Sequence, residues 1–220
     1  MAETDAAQDV HTSEARIALA ASMQRLGNAL VAHQPDDELL AEITRWADDV
    51  ASAVEAAPER VHSLLVRREK IFAGTLPEGA EAISASAFPD CVVSGRANPM
   101  GIGARFWREG TEAVCQVTVG KAFEGAPGRV HGGVVAALMD HLMGLVMSIS
   151  GSPAFTGRLN VTYRQPTPIG RLVEGRARLV ERVGRKLQVA GELRDEGQLL
   201  VQGEGLFIAV DPDRFFDSET

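Results

Sequence analysis

Apolar residues recur at helical spacing through the N-terminal part of the chain. Ile17, Met23, Leu26 and Leu30 suit one face of a first helix, and Leu39, Ile43, Trp46, Val50 and Val54 one face of a second. Asp36 or Asp37, following Pro35, is placed to cap the second helix. Pro58 suits the start of a third, short helix through Val61, Leu64, Leu65 and Arg68. The pattern changes near residue 75. Gly74, Pro77 and Gly79 read as a break, and residues 80–99 have no clear period and read as loop.

From Met100 the period becomes that of a strand. Ile102, Ala104 and Phe106 alternate, Glu109-Gly110 suits a turn, and Ala113, Cys115, Val117 and Val119 alternate again. A long apolar run over residues 134–149 follows and reads as a buried helix. It is short for a bilayer span and contains Asp140 and His141. Four more strands are predicted, over residues 156–164, 171–181, 185–194 and 199–210, forming a meander. In the first of these Leu159, Val161 and Tyr163 oppose Thr156, Arg158, Asn160, Thr162 and Arg164. The last is apolar on both faces, which suits a central place. A helix apolar all round needs cover on every side, and a curved antiparallel sheet supplies most of it. The expectation is an α+β chain: a helical extension over residues 1–75, a linker over 76–99, the sheet-and-helix domain over 100–210 and a tail over 211–220.

The bulk properties narrow the class. The chain has 220 residues, 45% hydrophobic and 24% charged, which is ordinary for a globular protein. A formal net charge of −8 lacks the basic footprint of a nucleic-acid binder. The two cysteines, Cys91 and Cys115, form no metal spacing and no disulfide framework, so no metal is expected and a reducing cytoplasm is the simple reading. The start, MAETDAAQDV, shows no signal-peptide pattern, and neither a nucleic acid nor a membrane is expected as a partner.

The chemistry gathers around the apolar helix. His131-Gly132-Gly133 stands immediately before it, and paired glycines let the backbone approach a ligand. The first N–H groups of a helix have no internal partner and favour negative charge. They can serve as an oxyanion hole, where one donor contributes roughly 3–4 kcal/mol. Asp140 lies mid-helix, where an unpartnered carboxylate is costly to bury, so it is either paired or used as nucleophile or base. Gly132 and Asp140 are eight residues apart, about 12 Å along a helix axis. One helix cannot bring both to the same carbonyl, whereas two copies packed antiparallel across a two-fold axis could. His141 lies about 100° round the helix from Asp140 and suits packing, as do Met139, Met143 and Met147. Arg158, Arg164, Arg171, Arg185 and Lys186 are available for phosphates.

Val130-His131-Gly132-Gly133 followed by Asp140 resembles the hotdog-fold thioesterases of the phenylacetate-pathway (PaaI-like) and thioesterase-superfamily-member type. The segment Asn98-Pro99-Met100-Gly101-Ile102, the loop Phe123-Glu124-Gly125-Ala126-Pro127-Gly128 and the strand Thr156-Gly157-Arg158-Leu159-Asn160-Val161-Thr162-Tyr163 resemble parts of the same group. The resemblance covers about residues 90–210. It implies a hotdog fold, a sheet wrapped around a central helix, in a homodimer that can pair into a tetramer. It also implies hydrolysis of acyl-coenzyme A without a cofactor, coenzyme A being part of the substrate. By resemblance the Gly132 N–H polarises the thioester carbonyl, Asp140 attacks or activates water, His131 shapes the loop and Thr156 lies near the attacked centre. Gly133, Asn98, Arg158 and Arg164 become candidates for holding substrate. Some members carry an Asn or Gln ahead of His-Gly-Gly to orient water, and residues 125–128 here offer no amide side chain. A hotdog dehydratase or hydratase and a non-catalytic acyl-CoA-binding module are the alternative readings.

Overall fold

In a computed structural model, residues 13–60, 76–79 and 88–211 are described. Helix α1 spans Glu14–Ala32 and opens on Ser13, whose side chain accepts from the Arg16 N–H. Helix α2 spans Asp37–Glu55, and its cap is Asp36, which accepts from the Leu39 N–H at 2.8 Å. In α1 the expected face is half-buried at Ile17, Met23 and Leu26, while Ala20 is fully buried. In α2 Leu39, Leu40, Trp46, Val50 and Val54 are exposed in the single chain. The period specifies the helix, but burial needs an opposing surface. Of the third expected helix, residues 58–60 are not helical and residues 61–68 lie outside the described residues.

The sheet has six strands: β1 Arg105–Glu109, β2 Glu112–Thr118, β3 Ala154–Tyr163, β4 Leu172–Val183, β5 Lys186–Asp195 and β6 Gln198–Ala209. Their order is β1-β2-β4-β5-β6-β3, and every pairing is antiparallel. The expected four-strand meander therefore holds only for β4-β5-β6. Strand β3, first in sequence, pairs with β6 and forms one edge, and β4 joins β2 instead. β6 sits between β5 and β3, as its two apolar faces suggest. The first strand also begins later than its alternation indicates. Gly103 takes φ +79°, so the extended run from Met100 breaks and the strand starts at Arg105. Part of the expected linker joins the sheet edge: Glu78 bridges Arg108, whose N–H donates to Pro77 O.

Helix α3, Gly132–Ile149, follows the glycine pair and lies against β2 to β6. Its buried side carries Val135, Leu138, Met139, Leu142, Met143, Val146 and Met147, packed with Val173, Leu187, Val189, Leu193, Val201 and Phe207. Glycine lets the helix come close: a Cβ on Gly203 would lie 2.5 Å from Met139 Cε. Cover is one-sided in the single chain. Ala136, Ala137, Asp140, His141, Gly144 and Leu145 on the other side remain half-buried.

Candidate active site

The approach to α3 is built by local hydrogen bonds. Lys121–Phe123 form a single 3-10 turn, and Phe123 O accepts the His131 N–H at 2.9 Å. Gly125 N–H donates to Arg129 O, and Glu124 bridges Val130. Glu124 also binds Lys121 Nζ at 2.7 Å and the Gly128 N–H at 2.6 Å, and these contacts hold its carboxyl below the usual range. The result is a closed loop that delivers His131 to the start of the helix. His131 is the N-cap residue, and its Nδ1 accepts the Gly133 N–H at 3.0 Å.

That cap sorts the helix-start donors. The N–H groups of Val134 and Val135 both reach His131 O, and the Gly133 N–H is taken by the His131 ring. The Gly132 N–H has no partner among the described residues. Tyr163 Oη donates to Gly132 O at 2.8 Å and fixes this residue from the strand side. A Cβ at Gly132 would meet Tyr163 Oη only at 3.6 Å, an ordinary contact. Among the described residues Gly132 is therefore the single exposed, unsatisfied donor at the positive end of α3.

Asp140, two turns further along, is half-buried and accepts from Thr156 Oγ1 at 2.8 Å. Simple alternation puts Thr156 with Arg158, opposite Leu159, Val161 and Tyr163. The structure corrects this. The β3–β6 register slips by one residue between Thr156 and Arg158, so Gly157 forms a bulge. The extra residue turns Thr156 onto the same face as Tyr163, toward α3. Edge strand β3 thus touches both ends of the constellation: Tyr163 at Gly132 and Thr156 at Asp140.

The other candidates fall elsewhere. Gly133, expected to bind substrate, has its N–H engaged by His131. Asn98 is tied into its own turn: Nδ2 donates to Asp90 O, Oδ1 accepts the Met100 N–H, and the carbonyl accepts from Gln24 Nε2. Its side chain has no free polar atom aimed at the site. Arg164 Nε donates to Gln202 Oε1 at 2.9 Å. Arg158 is exposed and has no ion pair among the described residues. Among the described residues no cluster of His, Cys, Asp and Glu could hold a metal ion.

Two features are not evident from the sequence. Alternation and resemblance mark Tyr163 as a strand residue, with no sign of its bond to Gly132 O. His141, read as packing, does stack edge-to-face on Phe106 with ring centroids 4.8 Å apart, but its Nδ1 also lies 3.9 Å from Cys91 Sγ. Burial pushes the Cys91 thiol up. The His141 hydrogen bond and the backbone N–H groups of Ser94 and Val93 outweigh it and bring the thiol down to about 6.

Comparison with known proteins bears on the fold and on the family it resembles. Residues 127–202 match the model of the thioesterase superfamily. The chain is 34% identical over 103 residues to acyl-coenzyme A thioesterase THEM4 of Bos taurus, a match covering 46% of this chain and 42% of that protein. It is 37% identical over 97 residues to the Mus musculus THEM4, covering 43% and 42% respectively. The matched stretch is thus less than half the length of either relative. A crystal structure of a thioesterase superfamily protein superposes with TM-score 0.74 at 26% identity, covering 90% of this chain and 92% of that one. That match takes in the N-terminal helices as well as the sheet. The chain is thus similar over residues 127–202 to the thioesterase superfamily and has the hotdog architecture, an antiparallel sheet packed on the long helix α3, preceded by a helical extension.

Proposed function

We propose that this protein hydrolyses an acyl-coenzyme A thioester to the free acid and coenzyme A. One observation carries the reading: the His131 cap leaves the Gly132 N–H alone without a partner among the described residues at the start of α3, on the chain whose Asp140 is oriented by Thr156. A thioester carbonyl seated on Gly132 N–H gains a donor that strengthens as charge moves onto oxygen. The Asp140 carboxylate either attacks the carbonyl carbon or takes a proton from the attacking water. The tetrahedral species then collapses by breaking the C–S bond, and the thiolate leaves and takes up a proton. Attack by the carboxylate gives an anhydride, which water opens with net addition of one H2O. Thr156 donates to Oδ1 and leaves the other carboxylate oxygen for the reaction.

The site needs two chains. The rise of α3 separates Gly132 from Asp140 by about 12 Å, too far for one carbonyl. The half-buried side of α3 and edge strand β3, with Tyr163 half exposed, form a surface that a second copy would cover. In that homodimer Gly132 of one chain faces Asp140 of the other. Arg158, without an ion pair among the described residues, is the candidate for a coenzyme phosphate.

The direct test is free thiol release from a panel of aromatic and aliphatic acyl-CoAs, with Asp140→Asn beside the wild type. Asparagine still accepts from Thr156, so the fold is kept, and turnover is expected to fall by about 10²–10⁴-fold, the range for losing a general base. Binding without turnover by the wild type would replace the hydrolase with an acyl-CoA-binding module. Full activity in Asp140→Asn would remove the carboxylate from the mechanism.

A further inference from the structure

The N-terminal helix α1 reaches the loop that carries the oxyanion donor. Asn28 makes the contact. Its Nδ2 donates to Gln24 O one turn back at 2.8 Å, which fixes the amide plane, and its Oδ1 accepts the Ala122 N–H at 3.0 Å across 94 residues of sequence. Ala122 lies in the 3-10 turn Lys121–Phe123, whose own N-cap residue, Gly120, supplies no side-chain cap. Early N–H groups of such a turn have no internal acceptor, so α1 provides the cap from outside. Gly120 shows how tight the fit is. Its φ is −82°, which any residue adopts, yet a Cβ there would lie 2.0 Å from Asn28 Oδ1. Backbone conformation does not call for glycine at 120; the approach of the Asn28 amide does. A second tether, Gln24 Nε2 to Asn98 O at 2.8 Å, holds the same face of α1 to the loop before β1.

From Ala122 the contacts run directly to the site. The capped turn ends at Phe123, whose carbonyl accepts the His131 N–H, and His131 Nδ1 takes the Gly133 N–H, leaving Gly132 as the free donor. We infer that Asn28 is a positioning residue: it caps the 120–123 turn and thereby sets where the Gly132 N–H points. The inference rests on the hydrolase reading only for its catalytic consequence. The chain of hydrogen bonds can be followed without any substrate.

Two readouts on the whole 220-residue chain test it. In amide hydrogen exchange, Asn28→Ala is expected to speed exchange at Ala122 and also at His131 and Gly133, with the body of α3 unchanged. In thiol release, the same variant is expected to lose about tenfold in kcat with KM within about twofold, since a displaced donor costs the transition state more than the ground state. Asn28→Asp, which keeps an acceptor oxygen for Ala122, is expected to recover part of the kcat. Gly120→Ala places its methyl on the Asn28 amide and is expected to reproduce the Asn28→Ala behaviour. Combined with Asn28→Ala, which clears the space, it is expected to add little. Faster exchange confined to Ala122, or unchanged kcat despite faster exchange at His131, would overturn the inference. If the wild type releases no thiol, the hydrolase reading fails, and the positioning of His131 by Asn28 stands or falls on the exchange pattern alone.

Discussion

At the residue scale the candidate site is a matter of which polar atoms are already taken. His131 uses its Nδ1 on Gly133 and its N–H on Phe123 O, so its evident task is to shape the helix start. Asp140, His131 and Gly132 were legible in the sequence because glycines before an apolar helix, and a carboxylate within it, are conspicuous locally. Thr156 was harder. Its side of the strand depends on the bulge at Gly157, and alternation alone assigns the wrong face. Asn28 was not legible at all, since a polar residue on a helix gives no sign of a partner 94 residues away. The two cysteines also part company here. Burial pushes the Cys115 thiol up to about 12, whereas Cys91 beside His141 is brought down to about 6. A lowered value means that the thiolate dominates above it. Alkylation by iodoacetamide is therefore expected at Cys91 alone, with a rate that rises through pH about 6 and levels off above it. A midpoint near 8.5, the free-thiol value, would remove the His141 effect.

At the scale of elements, period and turn residues located β2, β4, β5, β6 and α3 to within a few residues. The misplacements have local causes. Gly103 at positive φ delays β1, and β3 leaves the meander because strand partners are chosen by long-range packing that no local pattern records. The missing amide ahead of His-Gly-Gly also has a structural explanation at this scale. A Cβ at Gly125 would lie 2.9 Å from His131 Cα and 3.3 Å from its Cβ. The loop is closed too tightly around His131 to carry a side chain there. Gly125→Asn, which installs the amide some relatives of this type carry, is expected to force the loop apart. The expected cost is about 1–3 kcal/mol, read in thermal unfolding as a loss of about 2–4 °C per kcal/mol at this chain length. Unchanged melting with raised turnover would mean that the loop yields and that a water-orienting group was simply absent.

At the scale of the whole molecule, the proposed function divides each chain into halves of two sites. Gly132 with Tyr163 stands at one end of α3, and Asp140 with Thr156 stands two turns on. Proline at position 132 offers a clean way to delete the donor. Proline is tolerated at the first position of a helix, and His131, with φ −59° and ψ 134°, already has the extended backbone that a following proline requires. Gly132→Pro therefore removes one N–H with little change to the fold, at an expected loss of about 10²–10³-fold in kcat. Mixing the Gly132→Pro and Asp140→Asn chains, each nearly inactive alone, then asks whether the halves come from different subunits. Random pairing makes half of the dimers hybrid, and each hybrid holds one intact Gly132–Asp140 pair of its two sites. Thiol release is expected to recover to about a quarter of the wild-type rate. No recovery in a mixture shown to contain hybrid dimers would contradict a site shared between two chains.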